Sequence, residues 1–376
     1  DKISYGPDYE KPSIRLSKTL KDIGFEMIRL KTGTPARVHQ SNIDYEKLTP
    51  QYGDKESRRF SNETKNTLPF EDQIACYLTY TTPKTHQIIQ DNIHLSSMYS
   101  GNVKGVGPRY CPSIEDKITR FADKERHQIF IEPESKYSNE VYIQGFSTSL
   151  PKDIQEEMVR SLPGLEKASI IRYAYAIEYD AINPIELRPS LESKKIKNLY
   201  FAGQVNGTSG YEEAACQGLM AGINASLNIR GQNPFVLRRD EAYIGVLIDD
   251  LVTKGVDDPY RLLTSRAEFR LLLRHDNAEQ RLLKYAYDYR LVSKRRYDAF
   301  CLREQEKQAA LEVLKKERIT PSQKTNDYLA KHQKAIINEK VSCYELLKRP
   351  NIDFSDIIQL SDILLSLDAQ SQEELL

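Results

Sequence analysis

Residues 199–228 of this 376-residue chain read LYFAGQVNGTSGYEEAACQGLMAGINASLN, an order that few local structures accommodate. The apolar run that begins in KIKNLYFAGQ predicts a strand ending at Gly203-Gln204. Gly203, Gly207 and Gly210 follow within a few residues, where the backbone can bend and approach another group with no Cβ in the way. A long helix comes next, and Ala214, Gly218 and Gly222 recur in it every four residues, giving one smooth face. A strand, a glycine turn and a helix N-terminus in that order form the site of nucleotide-binding α/β folds, beyond the carboxyl end of a strand. A helix start there also stabilises partial negative charge on a flat, reduced ring. Small residues serve plain strand–helix packing equally well, so the spacing leaves both readings open.

Composition excludes several classes. The length corresponds to roughly two or three domains. Apolar residues make up 39% and charged residues 29%, as in an ordinary globular protein. No run approaches the roughly 18 apolar residues of a membrane helix. No secretory signal opens the chain, and the first residue is Asp1 rather than Met. Lys plus Arg number 54 and Asp plus Glu 54, so attraction for nucleic acid must come from local patches. Five scattered cysteines form no CxxC pair or Cys/His cluster. That pattern predicts no structural zinc and a reducing compartment: cytoplasm, or an equivalent matrix.

Along the chain, helices are predicted in SIRLSKTLKDIGFEMI, PKTHQIIQDNIH, SIEDKITRFADKE and DIQEEMVRSL, and strands in IRLKTGTPARV, HQIFIEP and EVYIQGF. Residues 41–68 are polar and read as a connection. Beyond Pro234 strand signals and glycines become rare, which puts a boundary near residues 230–240 and a helical module after it.

Two further stretches carry chemistry. In GPRYCPSIEDK (107–117), Ser113 with Asp116 three residues on is a capping-box start, which places Cys111 at the positive end of a helix with Arg109 close by. Both features favour thiolate, the attacking species; the alternative is a small buried thiol. In DPYRLLTSRAEFRLLLRHDNAEQRL, Arg266, Arg270 and Arg274 repeat at i, i+4 and i+8 and predict one guanidinium stripe on a helix, with Arg261 just before it. Such a row binds phosphate backbones, or, with Glu268, Asp276 and Glu279 nearby, is a salt-bridged surface helix.

Taken together, RLKTGTPARV, LSSMYSGNVKGVGPRYCPSIEDKITRFADKERHQIFIEPE, LYFAGQVNGTSGYEEAACQGLMAGINA and DEAYIGVLIDDLVTKGVDDPYRLLTSRAEFRLLLRHDNAEQRL closely resemble the MnmG/GidA family, the large flavoprotein subunit of a tRNA wobble-uridine modification enzyme. The resemblance runs from about residue 12 to about residue 350. It implies an α/β fold: an FAD-binding Rossmann-like (glutathione-reductase-like) domain from 1–38 and 171–230, interrupted by an inserted α/β domain at 39–170. An α-helical tRNA- and partner-binding module at 231–376 follows. It implies addition of an aminomethyl or carboxymethylaminomethyl group to C5 of the wobble uridine, using FAD, NADH and methylenetetrahydrofolate. The implied partners are tRNA and the GTPase MnmE, in a homodimer that forms a heterotetramer with the GTPase. The implied compartment is the bacterial cytoplasm, or the mitochondrial matrix of a eukaryote.

Carried over to these positions, Gly203, Gln204 and Gly207 contact FAD. Gly107, Pro108, Arg109, Tyr110, Cys111, Pro112, Ser113, Lys117 and Phe121 belong to the nicotinamide segment. Cys111 is the nucleophile, with Glu115 or Asp116 to take the C5 proton, and Arg261 and Arg270 contact tRNA, with Arg266 and Arg274 in the same row. Thiolate addition at C6 of uridine would load C5 with the electron density it needs to attack a one-carbon electrophile. The family's G-x-G-x-x-G phosphate loop does not occur in this chain. The chain is therefore expected to be an internal portion that does not hold the FAD pyrophosphate by itself. Two rivals remain: the related folate- and FAD-dependent tRNA uridine C5-methyltransferase, and a non-catalytic tRNA-binding fragment.

Overall fold

The structure, a computed structural model, describes residues 11, 12, 14–55, 59–101, 103–110, 112–361 and 372. Cys111 lies outside the described residues. The chain forms two compact units, divided between Arg270 and Leu271.

The first unit opens with helix α1 (Ile14–Asp22), followed by strands β1 (Met27–Thr34), β2 (Arg37–His39), β3 (Thr49–Gln51) and β4 (Cys76–Tyr80). Helices α2 (Pro83–Asn92) and α3 (Ile114–Arg120) come next, then β5 (Gln128–Pro133), β6 (Glu140–Gln144) and α4 (Lys152–Arg160). Strands β7 (Ile170–Arg172) and β8 (Tyr175–Ile182) precede helices α5 (Tyr211–Ile229) and α6 (Tyr243–Lys254). Six strands form one sheet in the order β3-β4-β5-β6-β2-β7, and β1 pairs with β8 in a separate ribbon; every ladder is antiparallel.

Period-two alternation sets the register of the sheet. Ile129 and Ile131 of β5 and Val141 and Ile143 of β6 point into the core, each no more than 1% exposed. Ile89 of α2, Ile114 and Ile118 of α3, and Met158, Leu162 and Leu165 in and after α4 fill the same core. Burying each such side chain contributes roughly 2 kcal/mol. Thr82 caps α2 through a capping box, and the Thr85 and Ser161 hydroxyls meet at 2.7 Å to tie α2 to the end of α4.

Two predicted elements do not form. The run 195–204 begins in bends and a turn, where Asn198 has a φ of 66°, and ends in the 3-10 turn Gly203–Asn206; its only pairing among the described residues is an antiparallel bridge from Tyr200 to Glu192. A strand needs a ladder, and no further strand is hydrogen-bonded to this one here. The arginine helix over 266–274 is also absent. Thr264–Arg266 is a single 3-10 turn, turns follow, and the next helix starts at Ala278. The Arg266 carbonyl, which a helix would give to the residue four on, accepts from Arg239 Nη2 at 3.0 Å, and Arg266 Nε donates to the Arg261 carbonyl at 2.9 Å.

The first unit also extends past the composition change at 230–240. Leu247 and Leu251 of α6 share a buried cluster with Tyr260, against which Cys216 of α5 packs. Around it Arg239 donates to Asp249, Asp250 and Glu268, while Asp250, 2% exposed, also accepts from Lys254 and the Tyr260 hydroxyl. Burial alone would raise the Asp250 carboxyl. Hydrogen bonds from Lys254, Tyr260 and Arg239 more than offset this and hold it below the ordinary carboxylate value. A carboxyl depressed in the folded state adds stability above its unfolded pKa and loses it as pH falls through the folded one. Asp250→Ala is therefore expected to cost about 3 kcal/mol at neutral pH. The gap between variant and parent should close as pH drops below about 4, as read by urea denaturation at a series of pH values.

The second unit is helical: α7 (Ala278–Asp288), α8 (Lys294–Lys316), α9 (Gln323–Lys331), α10 (Cys343–Leu347) and α11 (Phe354–Leu360). Ser293, Ser322, Ser342 and Asp353 cap α8, α9, α10 and α11. Leu314, Leu329, Leu346 and Ile357 make its core. Glu279 of α7 takes Arg296 and Arg303 of α8, and the buried Asp356 takes Lys334 and the Tyr328 hydroxyl.

Candidate active-site cleft and glycine turn

The segment 103–110 reaches its place because Gly105 lies flat on β1. A Cβ there would sit 2.6 Å from the Leu30 carbonyl carbon. Lys31 N donates to the Val106 carbonyl, Val106 N to the Arg29 carbonyl, and Glu178 accepts the Lys104 and Gly105 amides. The result is a cleft of about 410 Å³ whose walls include Lys31, Met98, Ser147 and Asp257. Gly107, Pro108, Arg109, Ser113 and Asp116 of the GPRYCPSIEDK stretch line it. Pro112, Lys117 and Phe121 instead line a second recess of about 690 Å³, together with Lys124, Arg126 and Phe130. Tyr110 is 51% exposed and lines neither.

Ser113, buried, caps α3 as predicted by accepting the Asp116 amide at 3.2 Å, but the reciprocal arm of the capping box, from Asp116 back to the Ser113 amide, is not among its bonds. The Asp116 carboxyl takes the Tyr99 hydroxyl at 2.9 Å and lies 3.8 Å from Arg120. The two candidate proton acceptors separate sharply. Asp116 is on the cleft wall, whereas Glu115 is completely buried. Glu115 Oε1 accepts from Ser96 Oγ at 3.0 Å, Thr148 Oγ1 at 2.9 Å and Ser149 N at 3.2 Å. Its place is structural, because a carboxyl sealed in this way has no path to a substrate. Arg109 is also differently employed: its guanidinium is in ion contact with Asp258, outside hydrogen-bond geometry, so its charge is shared before it can act on a neighbouring thiol. Three other cysteines are poorly placed to form a thiolate. Burial, reinforced by nearby carboxylates, raises the Cys76 and Cys343 thiols and pushes Cys216 up to about 11.

In the glycine turn, Gly203 and Gly207 adopt left-handed φ of 85° and 81°. A Cβ on Gly207 would come within 2.5 Å of Val256 Cγ2. Gln204 is exposed while Gly203 and Gly207 are buried. The smooth face of α5 is not spent on packing: Gly218 and Gly222 are exposed, with nothing within 4 Å of where a Cβ would be. The buried face carries polar residues instead. Gln217 accepts the Gly203 amide and an Asn206 amide proton, and donates to Thr208 Oγ1. Asn224 holds Phe235 through both its backbone groups. Glu213 accepts the Leu262 amide at 2.9 Å and faces Arg261 Nε at 3.3 Å. These three were missed by sequence reasoning, and their only trace in the sequence is polar residues at helical spacing in an otherwise small and apolar helix. Asn206 Oδ1 is buried with no hydrogen-bond partner among the described residues.

The arginines do not form a row. Arg261 leans on Glu213, Arg266 lies over the Tyr260 ring at 4.2 Å, and Arg270 is exposed at the end of the first unit. Arg274 belongs to the second unit and pairs with Asp276 at 3.0 Å.

Comparison with known proteins agrees with this architecture, a mixed α/β part followed by a helical part. The family model described as "Glucose inhibited division protein A" matches residues 1–233, and "tRNA modifying enzyme MnmG/GidA C-terminal helical domain" matches 294–376. The chain is 54% identical over 362 residues to the tRNA uridine 5-carboxymethylaminomethyl modification enzyme MnmG of Bacillus velezensis, covering 95% of this chain and 57% of that protein. It is 57% identical over 352 residues to the protein of the same description from Acholeplasma laidlawii, covering 94% of this chain and 57% of that one. The crystal structure of Aquifex aeolicus GidA in its form I crystal superposes with a TM-score of 0.88 at 46% identity, over 100% of this chain and 60% of that one. The chain thus spans well under two thirds of the length of these relatives. With both family models matched in chain order, the chain belongs to the glucose-inhibited division protein A (MnmG/GidA) family.

Proposed function

We propose that this chain supplies the substrate cleft and RNA-facing loops of an FAD-dependent enzyme that adds a carboxymethylaminomethyl group to C5 of the wobble uridine in tRNA. The observation that carries the reading is the cleft itself, where Gly107–Arg109, Ser113 and Asp116 converge in a chain of this family. The glycine turn fits a flavin. Two left-handed glycines, the exposed Gln204 and an unpartnered buried Asn206 oxygen border a helix face that no described side chain fills. Gly203, Gln204 and Gly207 would hold FAD, which supplies redox chemistry when bound. NADH would be held by the Gly107–Ser113 segment, with Lys117 and Phe121 in the adjoining recess. Methylenetetrahydrofolate is the one-carbon donor, and the GTPase MnmE and a second copy of the protein are the partners.

In the proposed chemistry the Cys111 thiolate adds to C6 of the uridine, electron density moves to C5, and C5 attacks an iminium carbon as that carbon's π bond to nitrogen breaks. The C5 proton then leaves to a carboxylate and the thiolate departs from C6, restoring the ring. Asp116 is the carboxylate positioned for that proton, since it borders the cleft and Glu115 does not. Arg261, Arg266 and Arg270 contact tRNA phosphates.

Nucleoside mass spectrometry of total tRNA from cells lacking the full-length gene tests the reading. Loss of the C5 aminomethyl-type wobble uridines supports it. Loss of 5-methyluridine alone would transfer the chain to the methyltransferase relative. Unchanged tRNA would leave a non-catalytic RNA-binding role.

A further inference from the structure

We propose that Glu213 is a positioning residue for RNA binding: its buried carboxyl fixes Arg261 for contact with an RNA phosphate and ties that contact to the glycine turn. The proposal rests on the tRNA reading above. Glu213 is 3% exposed in the first turn of α5, yet no step of the proposed chemistry uses it. Its Oε1 accepts the Leu262 amide at 2.9 Å and faces Arg261 Nε at 3.3 Å, while its Oε2 is buried without a hydrogen-bond partner among the described residues. Gly210 leaves the room this needs, since a Cβ there would fall 1.7 Å from Oε2. The Arg261 side chain is nevertheless 44% exposed: its Nε is in ion contact with Glu213, and the rest of the guanidinium is open to solvent.

The surrounding backbone is braced as well. Arg266 Nε donates to the Arg261 carbonyl, Tyr260 N donates to the Gly207 carbonyl, and Ser209 N donates to the Tyr260 carbonyl. The arginine loop and the glycine turn therefore share one hydrogen-bonded frame. A guanidinium held in advance by one edge presents its remaining N–H groups as a fork to a phosphate and loses less side-chain freedom on contact.

The test is tRNA binding by the full-length protein at several salt concentrations, with thermal midpoint and flavin absorbance followed in parallel. Arg261→Ala is expected to weaken binding about fivefold and to flatten the salt slope by about one. Glu213→Ala should do the same, and the double variant should bind no worse than the weaker single variant, because one residue acts through the other. A merely structural role for Glu213 predicts a lowered midpoint and losses that multiply in the double variant. Multiplying losses, or wild-type affinity and slope in Glu213→Ala, overturn the proposal. Should Glu213→Ala fail to fold, Glu213→Gln carries the test, since it keeps an acceptor for the Leu262 amide and removes the charge facing Arg261. Weakening about twofold with a flattened slope supports the proposal, and unchanged binding overturns it. A wild-type protein that binds no tRNA overturns the tRNA reading and this proposal with it, and its own binding curve identifies that case.

Discussion

Full-length enzyme carrying Cys111→Ser is expected to lose C5 modification of the wobble uridine by at least about a thousandfold. Serine matches the size of cysteine, but its hydroxyl has no accessible anion near neutral pH, so addition to uridine C6 has no nucleophile. Cys111 belongs to the GPRYCPSIEDK motif, and three of the other thiols are disfavoured as anions. Cys76, Cys216 and Cys343 are each held as neutral thiols by burial, Cys216 with a pKa near about 11. Ser113 starts the helix immediately after the cysteine and holds the Asp116 amide. Arg109 contributes less than its sequence position promises, because Asp258 shares its charge. The measurement is the fraction of modified wobble uridine in tRNA from cells whose only copy is the variant. Wild-type levels would remove Cys111 from the mechanism.

The second large effect falls on Glu115, and on stability rather than chemistry. Glu115→Ala takes the acceptor away from Thr148 Oγ1 and Ser149 N and leaves Ser96 Oγ only its contact with Ser149 Oγ, in a site where the Ser96 and Thr148 side chains are buried. At about 1–3 kcal/mol for each orphaned group, with some relaxation, a loss of about 3–5 kcal/mol is expected in urea denaturation. The damage should reach the cleft. Ser96 Oγ also meets Ser149 Oγ at 2.7 Å, Ser149 Oγ accepts the Met98 amide, and Met98 is part of the cleft wall. Glu115→Gln keeps an acceptor oxygen for the same three donors. That variant should stay within about tenfold of parental activity, with an unchanged pH profile. A folded, inactive Glu115→Gln protein would return Glu115 to the role of proton acceptor.

The pair Glu115 and Asp116 shows where sequence reasoning stops. Adjacent residues on a helix project about 100° apart, so one of them had to leave the cleft. The spacing of Ile114 and Ile118 marks the buried face of α3, but nothing local says that Glu115 would turn inward to hydroxyls from residues 96 and 148. The arginine row fails for a related reason. Its i, i+4 spacing matters only on a helix, and Arg239, distant in sequence, takes the Arg266 carbonyl that a helix would use.

The sequence by itself determined what depends on neighbours along the chain. The Ser113 cap, the period-two strands β5 and β6, the helical C-terminal part and the glycine turn before α5 follow from propensity, periodicity and backbone freedom. These act over a few residues and survive in any context that buries the apolar face. Tertiary structure decided what depends on partners far apart in sequence. It sealed Glu115 in the core, gave Arg109 to Asp258 and Arg261 to Glu213, and left the smooth face of α5 open. It also made 195–204 bends, a turn and a single bridge rather than a strand. A buried polar group takes whichever partner the fold brings within about 3 Å, and no pattern in the chain records that choice.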